Sequence, residues 1–199
     1  MSVMTIAVTA VQDLNGFVEA SNSYGKQRVL DMGCKHTSIT KIIMGGEAAG
    51  LVGVSFEWES VDAAIAGSNA INSDGQMLQM MGDCGVSVVR RSVLEILAEF
   101  GETRPTSGFG TAVYMSGNIS AEGMDTAWGH MQAGANGLQL NRAIANGIAP
   151  WTGLVVTFAD SVDDLLGAAV NAWADTSMQA RNSMNDVKPL GRVINEIVA

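Results

Sequence analysis

The stretch SVDAAIAGSNAINSDGQMLQMMGDCGVSVVRRSVLEILA at residues 60–98 is matched by SVDDLLGAAVNAWADTSMQARNSMNDVKPLGRVINEIVA at residues 161–199. The two stretches run without a gap at a constant offset of 101 residues, and ten of their positions are identical. Chance matching at ordinary residue frequencies would give roughly two or three identities. The sequence therefore predicts two homologous halves, residues 1–101 and 108–199, joined by a linker at 102–107.

The similarity continues upstream of these stretches with a different offset. Val54 and Phe56 match Val156 and Phe158 when the offset is raised to 102. We therefore expect the first half to contain one extra residue near Trp58.

Each half shows the same predicted order of elements. The predicted strands are 3–11, 34–44, 51–58 and 86–97 in the first half, and 109–115, 137–145, 153–158 and 190–198 in the second. The predicted helices are 14–32 and a region from 61 that restarts at Asp74, then 121–133 and a region 162–185 that restarts at Asp175. The order strand, helix, strand, strand, helix, strand is that of a ferredoxin-like (βαββαβ) unit.

A four-stranded antiparallel sheet with helices on one face leaves its other face apolar and in need of cover. Two such halves in one chain can cover each other. We therefore predict an α+β fold in which two tandem ferredoxin-like halves pack sheet to sheet as a pseudo-dimeric α+β barrel.

Composition excludes several classes of partner. The formal net charge of −9 argues against nucleic acid and against an anionic membrane surface, because both require a basic face. No stretch has the length and apolarity of a membrane span, and no signal peptide is visible, so we expect a cytoplasmic protein. Cys34 and Cys84 are isolated, and no zinc, phosphate-loop or nucleophile-elbow motif is present, so no metal site is predicted.

Only two histidines, His36 and His130, are available for acid–base chemistry. His36 lies early in a predicted strand, where alternate side chains can face a cavity, and a neutral imidazole is a usable base near pH 7. His130 lies on a predicted helix and can equally well point to solvent. His36 is therefore the candidate catalytic residue, with a purely structural role for both histidines as the alternative.

Charged pairs recur in the closing strands of both halves, as Arg91 with Glu95 and as Arg192 with Glu196. A spacing of four on a strand places both members of a pair on one face. They could bind an anionic ligand, or they could form ion pairs between strands at the surface or between the halves. Arg142 and Lys41 could join such a network.

Tyr114 and Trp58 are candidates to line an apolar ligand pocket, although aromatic side chains more often belong to the core. Three methionines at residues 77, 80 and 81 suit an adaptable pocket wall, with core packing as the alternative.

Each half contains a strand that ends in an aromatic region and leads to an acidic residue, a serine and a helix. These residues are 51–58 followed by Glu59-Ser60-Val61-Asp62, and 154–158 followed by Asp160-Ser161-Val162-Asp163. This pattern resembles the dimeric α+β barrel superfamily, in particular its NIPSNAP-like and antibiotic-biosynthesis-monooxygenase-like domains, here in tandem. The resemblance implies a barrel fold and a range of activities that includes cofactor-free monooxygenases, isomerases and haem proteins.

Three functions remain open on this basis. The first is a small-molecule binding protein or a cofactor-independent enzyme, monooxygenase- or isomerase-like, whose barrel holds a small apolar or aromatic molecule. The second is a non-catalytic protein that assembles into homo-oligomers. The third is a haem-binding protein, which the resemblance suggests through a histidine ligand. We predict no cofactor for the first function and a homo-oligomeric state for the native protein.

Overall fold

The computed structural model describes residues 1–199 as a mixed α+β fold. The strands are β1 (Val3–Ala10), β2 (His36–Met44), β3 (Val52–Trp58), β4 (Ser87–Gly101), β5 (Phe109–Ser116), β6 (Gly137–Ala145), β7 (Gly153–Ala159) and β8 (Lys188–Ile197). The helices are α1 (Leu14–Ala20), α2 (Lys26–Asp31), α3 (Val61–Ser73), α4 (Gly75–Asp83), α5 (Met124–Met131), α6 (Val162–Ala174) and α7 (Thr176–Met184). None of these helices is long and apolar enough to cross a membrane.

The eight strands close into a barrel with the order β1-β3-β2-β8-β5-β7-β6-β4. Every neighbouring pair in this order is antiparallel. The predicted α+β class and the predicted barrel are therefore confirmed. The closed barrel has no edge strand, because each strand pairs with two others.

Capping residues define the starts of several helices. The hydroxyl of Ser60 accepts a hydrogen bond from the backbone N–H of Ala63, and Ser161 does the same for Asp164. The carboxylate of Asp74 accepts two backbone N–H groups at the start of α4. Such caps satisfy backbone donors that have no partner within the helix.

The helix predicted at 14–32 is interrupted. Between α1 and α2, residues Ser21–Gly25 form a π-helical turn. A π turn accommodates one additional residue within a helix without ending it. The segment therefore continues as one helical arm, but its side chains change phase at Tyr24 relative to a regular helix.

Two strand pairings join the first four strands to the last four, and we call them the seams. One seam is formed by β2 and β8, and the other by β4 and β6. The opposed residues are Thr40–Ile197, Lys41–Glu196 and Ile42–Asn195 at one seam, and Asn141–Ile96, Arg142–Glu95 and Ala143–Leu94 at the other. A shift of 101 residues converts each pairing of one seam into a pairing of the other.

The prediction of an extra residue near Trp58 is wrong, as the directions of the side chains on β3 and β7 show. Val54 and Phe56 pack towards the helices of the first half, whereas Val156 and Phe158 face the inside of the barrel. Because neighbouring residues on a strand face opposite sides, an offset of 102 pairs residues with opposite environments. At an offset of 101, Val54 pairs with Val155, which also packs towards helices. The first half has no extra residue there.

Candidate functional site

The inside of the barrel contains a cavity of about 100 Å³, lined by alternate residues from seven of the eight strands. Its deep part is apolar, with side chains such as Ile6, Val8 and Leu154. The opposite end, where β1 begins and β3 ends, is lined by His36, Glu57 and other polar groups. The cavity is thus amphipathic along the barrel axis, with its chemistry concentrated at one end.

Arg104 closes the polar end. Its Nε and Nη2 atoms donate hydrogen bonds to Oε2 of Glu57 at 3.0 and 2.7 Å. The Nη2 atom also lies 2.9 Å from Oε1 of Glu99. Arg104 belongs to the segment predicted as a linker, so this segment forms part of the barrel end rather than a simple connection.

Two neighbouring groups complete the network around Glu99. Thr103 and Gln139 each donate a hydrogen bond to its Oε1 atom at 3.0 Å. Burial alone would raise the pKa of Glu99, but these hydrogen bonds and the charge of Arg104 hold the pKa below its ordinary value. Burial alone would lower the pKa of Arg104, but its bonds with Glu57 and Glu99 outweigh this and raise the pKa. Glu99 and Arg104 are therefore both charged at neutral pH.

His36 faces the cavity from β2, directly opposite Glu57 on β3. Its imidazole makes no hydrogen bond to another protein group. Burial is the main cause that lowers the pKa of His36, and the charge of Arg104 acts in the same direction while that of Glu57 opposes it. The ring is therefore neutral at pH 7, with a nitrogen lone pair available to a molecule in the cavity.

Four buried polar side-chain atoms in the protein have no hydrogen-bond partner within the chain. They are Ser92 Oγ, Asn141 Oδ1, Trp151 Nε1 and Asn195 Oδ1. Asn195 lines the cavity directly, and Asn141 lies opposite the inward-facing Leu154. Ser92 is the strand partner of Ile6 in the barrel wall, and Trp151 belongs to the cluster that fills the barrel. Buried polar atoms are normally paired, so the oxygen of Asn195, which alone of the four lines the cavity, is available to a polar guest there.

The far end of the barrel holds a second cluster, formed by Arg90, Tyr114 and Trp151. Nη2 of Arg90 donates to the hydroxyl of Tyr114 at 2.9 Å. The guanidinium also lies 5.4 Å from the centre of the Tyr114 ring and 5.7 Å from that of Trp151. Tyr114, a predicted ligand-binding residue, thus lines the cavity but has a protein partner for its hydroxyl group.

The predicted charged pairs lie on the outer side of the barrel and are not brought together with His36. Glu95 forms an ion pair with Arg142 across the seam between β4 and β6. Glu196 lies opposite Lys41 at the other seam. These carboxylates have the structural positions that the alternative interpretation anticipated, between strands of the two halves.

The remaining predicted site residues, Arg91, Arg192 and Trp58, lie in three separate places outside the barrel cavity. Arg91 and Arg192 line separate pockets between the sheet and the helices. Trp58 is completely buried, and its indole N–H donates to Oγ1 of Thr5 at 3.0 Å. The Trp58 ring therefore offers no surface to a ligand and serves the core.

The sequence did not single out Glu57, Arg104 or Asn195. A signal was available for Glu57, because it alternates with the outward-facing Phe56 and Trp58 on a strand whose other face must be covered. No such signal was available for Arg104, because an irregular segment has no periodicity from which the direction of a side chain can be inferred.

Two further pockets lie outside the barrel, between the sheet and the helices of each half. The first-half pocket has a volume of about 320 Å³ and is lined by residues of β1, β3, β4, α1, α3 and α4. The second-half pocket has a volume of about 130 Å³ and is lined by the corresponding elements of the second half. We call them the first-half pocket and the second-half pocket.

None of these cavities fits a haem held by the usual axial ligands. Haem iron is bound by histidine, cysteinate or tyrosinate, or by methionine together with histidine. Neither outer pocket is lined by histidine, cysteine or tyrosine. His130 lies outside both pockets and bonds to Oδ2 of Asp175 at 3.1 Å. His36 and Tyr114 do face a cavity, but its volume of about 100 Å³ is below the roughly 300–1,000 Å³ of pockets that hold drug-sized ligands, and a haem is larger than most of these.

The structure also contains no group of three or more His, Cys, Asp or Glu side chains arranged to hold a metal ion. The buried thiols of Cys34 and Cys84 are unbonded to each other. Burial raises the pKa of Cys34 to about 11, so its thiol stays protonated and unreactive at neutral pH.

Comparison with known proteins identifies the architecture. No protein-family model and no curated protein matches the sequence, but solved structures match nearly all of the chain. A heme-binding protein from Thermus thermophilus has a TM-score of 0.63 at 9% identity, over 98% of this chain and 90% of that one. A monooxygenase-like protein from Fusobacterium nucleatum has a TM-score of 0.59 at 8% identity, over 100% and 93% of the two chains.

A chlorite dismutase variant from Candidatus Nitrospira defluvii has a TM-score of 0.52 at 10% identity, over 98% of this chain and 90% of that one. At such low identity the similarity shows the fold and leaves the activity open. The chain shares the antiparallel α+β barrel fold of these solved structures.

Proposed function

We propose that the protein binds a small hydroxylated molecule inside the barrel and that His36 accepts a proton from it. The observation that carries this proposal is that the imidazole of His36 and Oδ1 of Asn195 line one cavity without a hydrogen-bond partner within the chain. The amide oxygen of Asn195 and the free lone pair of a neutral imidazole can only accept hydrogen bonds. A guest that donates hydrogen bonds suits both groups better than one that accepts.

The chemistry follows from the polar end of the cavity. The neutral imidazole of His36 is positioned as a general base, and it is the one ionisable side chain lining the cavity that has no hydrogen-bonded protein partner. In the proposed step an O–H bond of an enol or phenol breaks, its proton passes to an imidazole nitrogen, and the electron pair stays on oxygen. The resulting anion is the electron-rich species that isomerisation or direct oxygenation requires.

Arg104 supports this role as a closing group. Its side chain is 40% exposed and its guanidinium contacts two carboxylates at the barrel end, so its movement would open the cavity. We infer a cofactor-independent reaction or simple binding, because the outer pockets have no axial ligand for a haem and the cavity that His36 faces is small. The neighbours named as a monooxygenase and as haem proteins are compatible with small-molecule chemistry in this fold.

4-Nitrophenol is a suitable probe for the proposed site, because its hydroxyl is far more acidic than that of phenol and close in acidity to an imidazolium. We expect saturable binding in a calorimetric titration at mildly acidic pH, with a visible difference spectrum that reports formation of the bound nitrophenolate. His36→Gln is expected to abolish the nitrophenolate signal but to retain binding, and Asn195→Leu to weaken binding. His130→Gln is the matched control and should behave as the wild type. Absence of saturable binding, or equal behaviour of all four proteins, would overturn the proposal.

We also infer that residues 1–101 and 108–199 are tandem ferredoxin-like units that arose by duplication. The identical register of the two seams after a shift of 101 residues supports this. Within the superfamily, the NIPSNAP-like assignment rests on the sequence pattern alone.

Homo-oligomeric assembly, the alternative function, has weaker support. The exposed apolar side chains Ile148, Met184 and Val170 lie on a loop, on α7 and on α6, so they do not belong to one element. Native mass spectrometry would report the assembly state and any retained small molecule together.

A further inference from the structure

The first-half pocket is the largest of the three cavities described above, at about 320 Å³. Its walls are the outer face of β1, β3 and β4 and the inner sides of three helices. The side chains of Phe17, Phe56 and Ile71 and the methionine group 77, 80 and 81 provide an apolar lining. Methionine side chains are flexible and polarisable, so such a lining adapts to an elongated apolar guest.

Arg91 is the only charged residue that lines this pocket. Its side chain is exposed, and its Nη2 atom donates one long hydrogen bond, of 3.4 Å, to Oδ1 of Asn72. Arg28, Arg104 and Arg142 each form an ion pair with a carboxylate, whereas Arg91 forms none. An apolar pocket thus has a single unpaired cation at its entrance.

We propose that the first-half pocket binds a carboxylic acid with an unbranched apolar tail. The tail lies among the methionine and phenylalanine side chains, and the carboxylate receives two parallel N–H bonds from the Arg91 guanidinium. Ser68 and Asn72 lie on the same pocket wall and can donate further hydrogen bonds to the carboxylate. This site is independent of the barrel cavity, because Arg91 lies on the outer side of β4.

The pocket of the second half provides an internal control. Arg192 stands 101 residues after Arg91 and lines that pocket, which has less than half the volume. Arg181 and Glu122 also line it, so its charge pattern differs from that of a single cation beside an apolar space. We therefore assign the carboxylate site to the first half alone.

Calorimetric titration of the full chain with decanoate, below its micelle concentration, tests the proposal. We expect one binding site per chain, with no measurable binding of methyl decanoate or decylammonium. Arg91→Gln is expected to weaken decanoate binding about tenfold, Arg91→Lys less, and Arg192→Gln not at all. His36→Gln should leave decanoate binding unchanged, which separates this site from the proposed barrel function.

Three outcomes would overturn the proposal. They are failure of decanoate to bind the wild type, equal binding of its ester, and a loss of binding in Arg192→Gln as large as that in Arg91→Gln. Circular dichroism and thermal unfolding of each variant identify any that fails to fold. The chain-length dependence from hexanoate to tetradecanoate then provides a test without any substitution, because affinity must rise until the pocket is full.

Discussion

The two outer pockets occupy matching places in the two halves, yet they differ in size and lining. In the first half, Asn72 and Met80 line a space of about 320 Å³. The residues 101 positions later are Trp173 and Arg181, and they line a space of about 130 Å³. The larger side chains of Trp173 and Arg181 thus fill space in the second-half pocket that Asn72 and Met80 leave open in the first-half pocket.

The barrel cavity shows a similar asymmetry between the halves. Three of its polar residues, at positions 36, 55 and 57, belong to the first half. The residues 101 positions later are Gly137, Val156 and Phe158, none of which carries a polar side chain. The second half thus contributes mainly apolar wall, and the first half contributes the base and the carboxylate. Similar backbones therefore carry different chemistry, because a few positions differ in volume and polarity.

The largest expected effect concerns how each half packs its core. Gly67 on α3 lies directly against the Trp58 ring, and a Cβ atom there would overlap it. The residues 101 positions later are Ala168 and Ala159, where a small strand residue leaves room for a helical Cβ. Gly67→Ala is expected to lower the free energy of unfolding by about 3 kcal/mol, measured by urea denaturation.

Gly82→Ala is the matched control for this substitution. Gly82 also lies on a helix, α4, and nothing lies within 4 Å of the position of an added Cβ atom. Alanine there should be neutral or stabilising by up to about 1 kcal/mol, because glycine is a poor helix former. If Gly67→Ala were equally harmless, the two halves would not differ in their core packing as described.

A second prediction tests the polarity of the barrel end. Glu57→Gln should lower the free energy of unfolding by about 1–2 kcal/mol, because Arg104 loses a nearly buried carboxylate partner. The value is reduced because the Arg104 side chain is 40% exposed and partly screened by solvent. Glu95→Gln is the comparison, since its pair with Arg142 lies on the outer side and should contribute less than about 1 kcal/mol. Equal losses would mean that the barrel end has no special role in stability.

A third prediction exchanges the pocket linings. Asn72→Trp places in the first half the residue type that narrows the second-half pocket. The ring is expected to occupy the pocket entrance beside Arg91 and to weaken decanoate binding at least about tenfold. Asn72→Ala is the control, because it removes the hydrogen bond to Arg91 without filling space. Retained binding in Asn72→Trp would show that pocket volume does not explain the difference between the halves.

The repeat made the fold predictable, because two units of the same strand–helix order have few ways to cover their apolar sheet faces. Residue types alone gave a wrong alignment of β3 with β7, at an offset of 102 residues instead of 101. Val54 and Phe56 match Val156 and Phe158 by residue type, although they face opposite sides of the barrel wall. Residue identity in short apolar strands is a weak guide, since valine and phenylalanine suit both faces.

The site was less predictable than the fold. His36 was identified because a strand position has a defined direction once the barrel is assumed. Glu95 and Glu196, which recur in the two halves, lie at the seams, where both halves need the same contact. The distinctive residues Glu57 and Arg104 have no charged equivalent 101 positions away, so the repeat could not reveal them. Arg104 becomes visible only when the chain between β4 and β5 folds over the barrel end.

The smallest expected effect concerns the contribution of His36 to the pH dependence of stability. The pKa of His36 is lowered in the folded state by burial, so the unfolded chain binds more protons below its ordinary pKa of about 6.5. Stability is therefore lost as the pH falls below this value. His36→Gln should remove this contribution, so the stability of the variant relative to the wild type improves between about pH 6.5 and pH 5. Parallel urea denaturation series of the two proteins at several pH values measure both slopes, and a wild-type slope that persists in His36→Gln would mean that the imidazole is already solvated, which a closed barrel end does not allow.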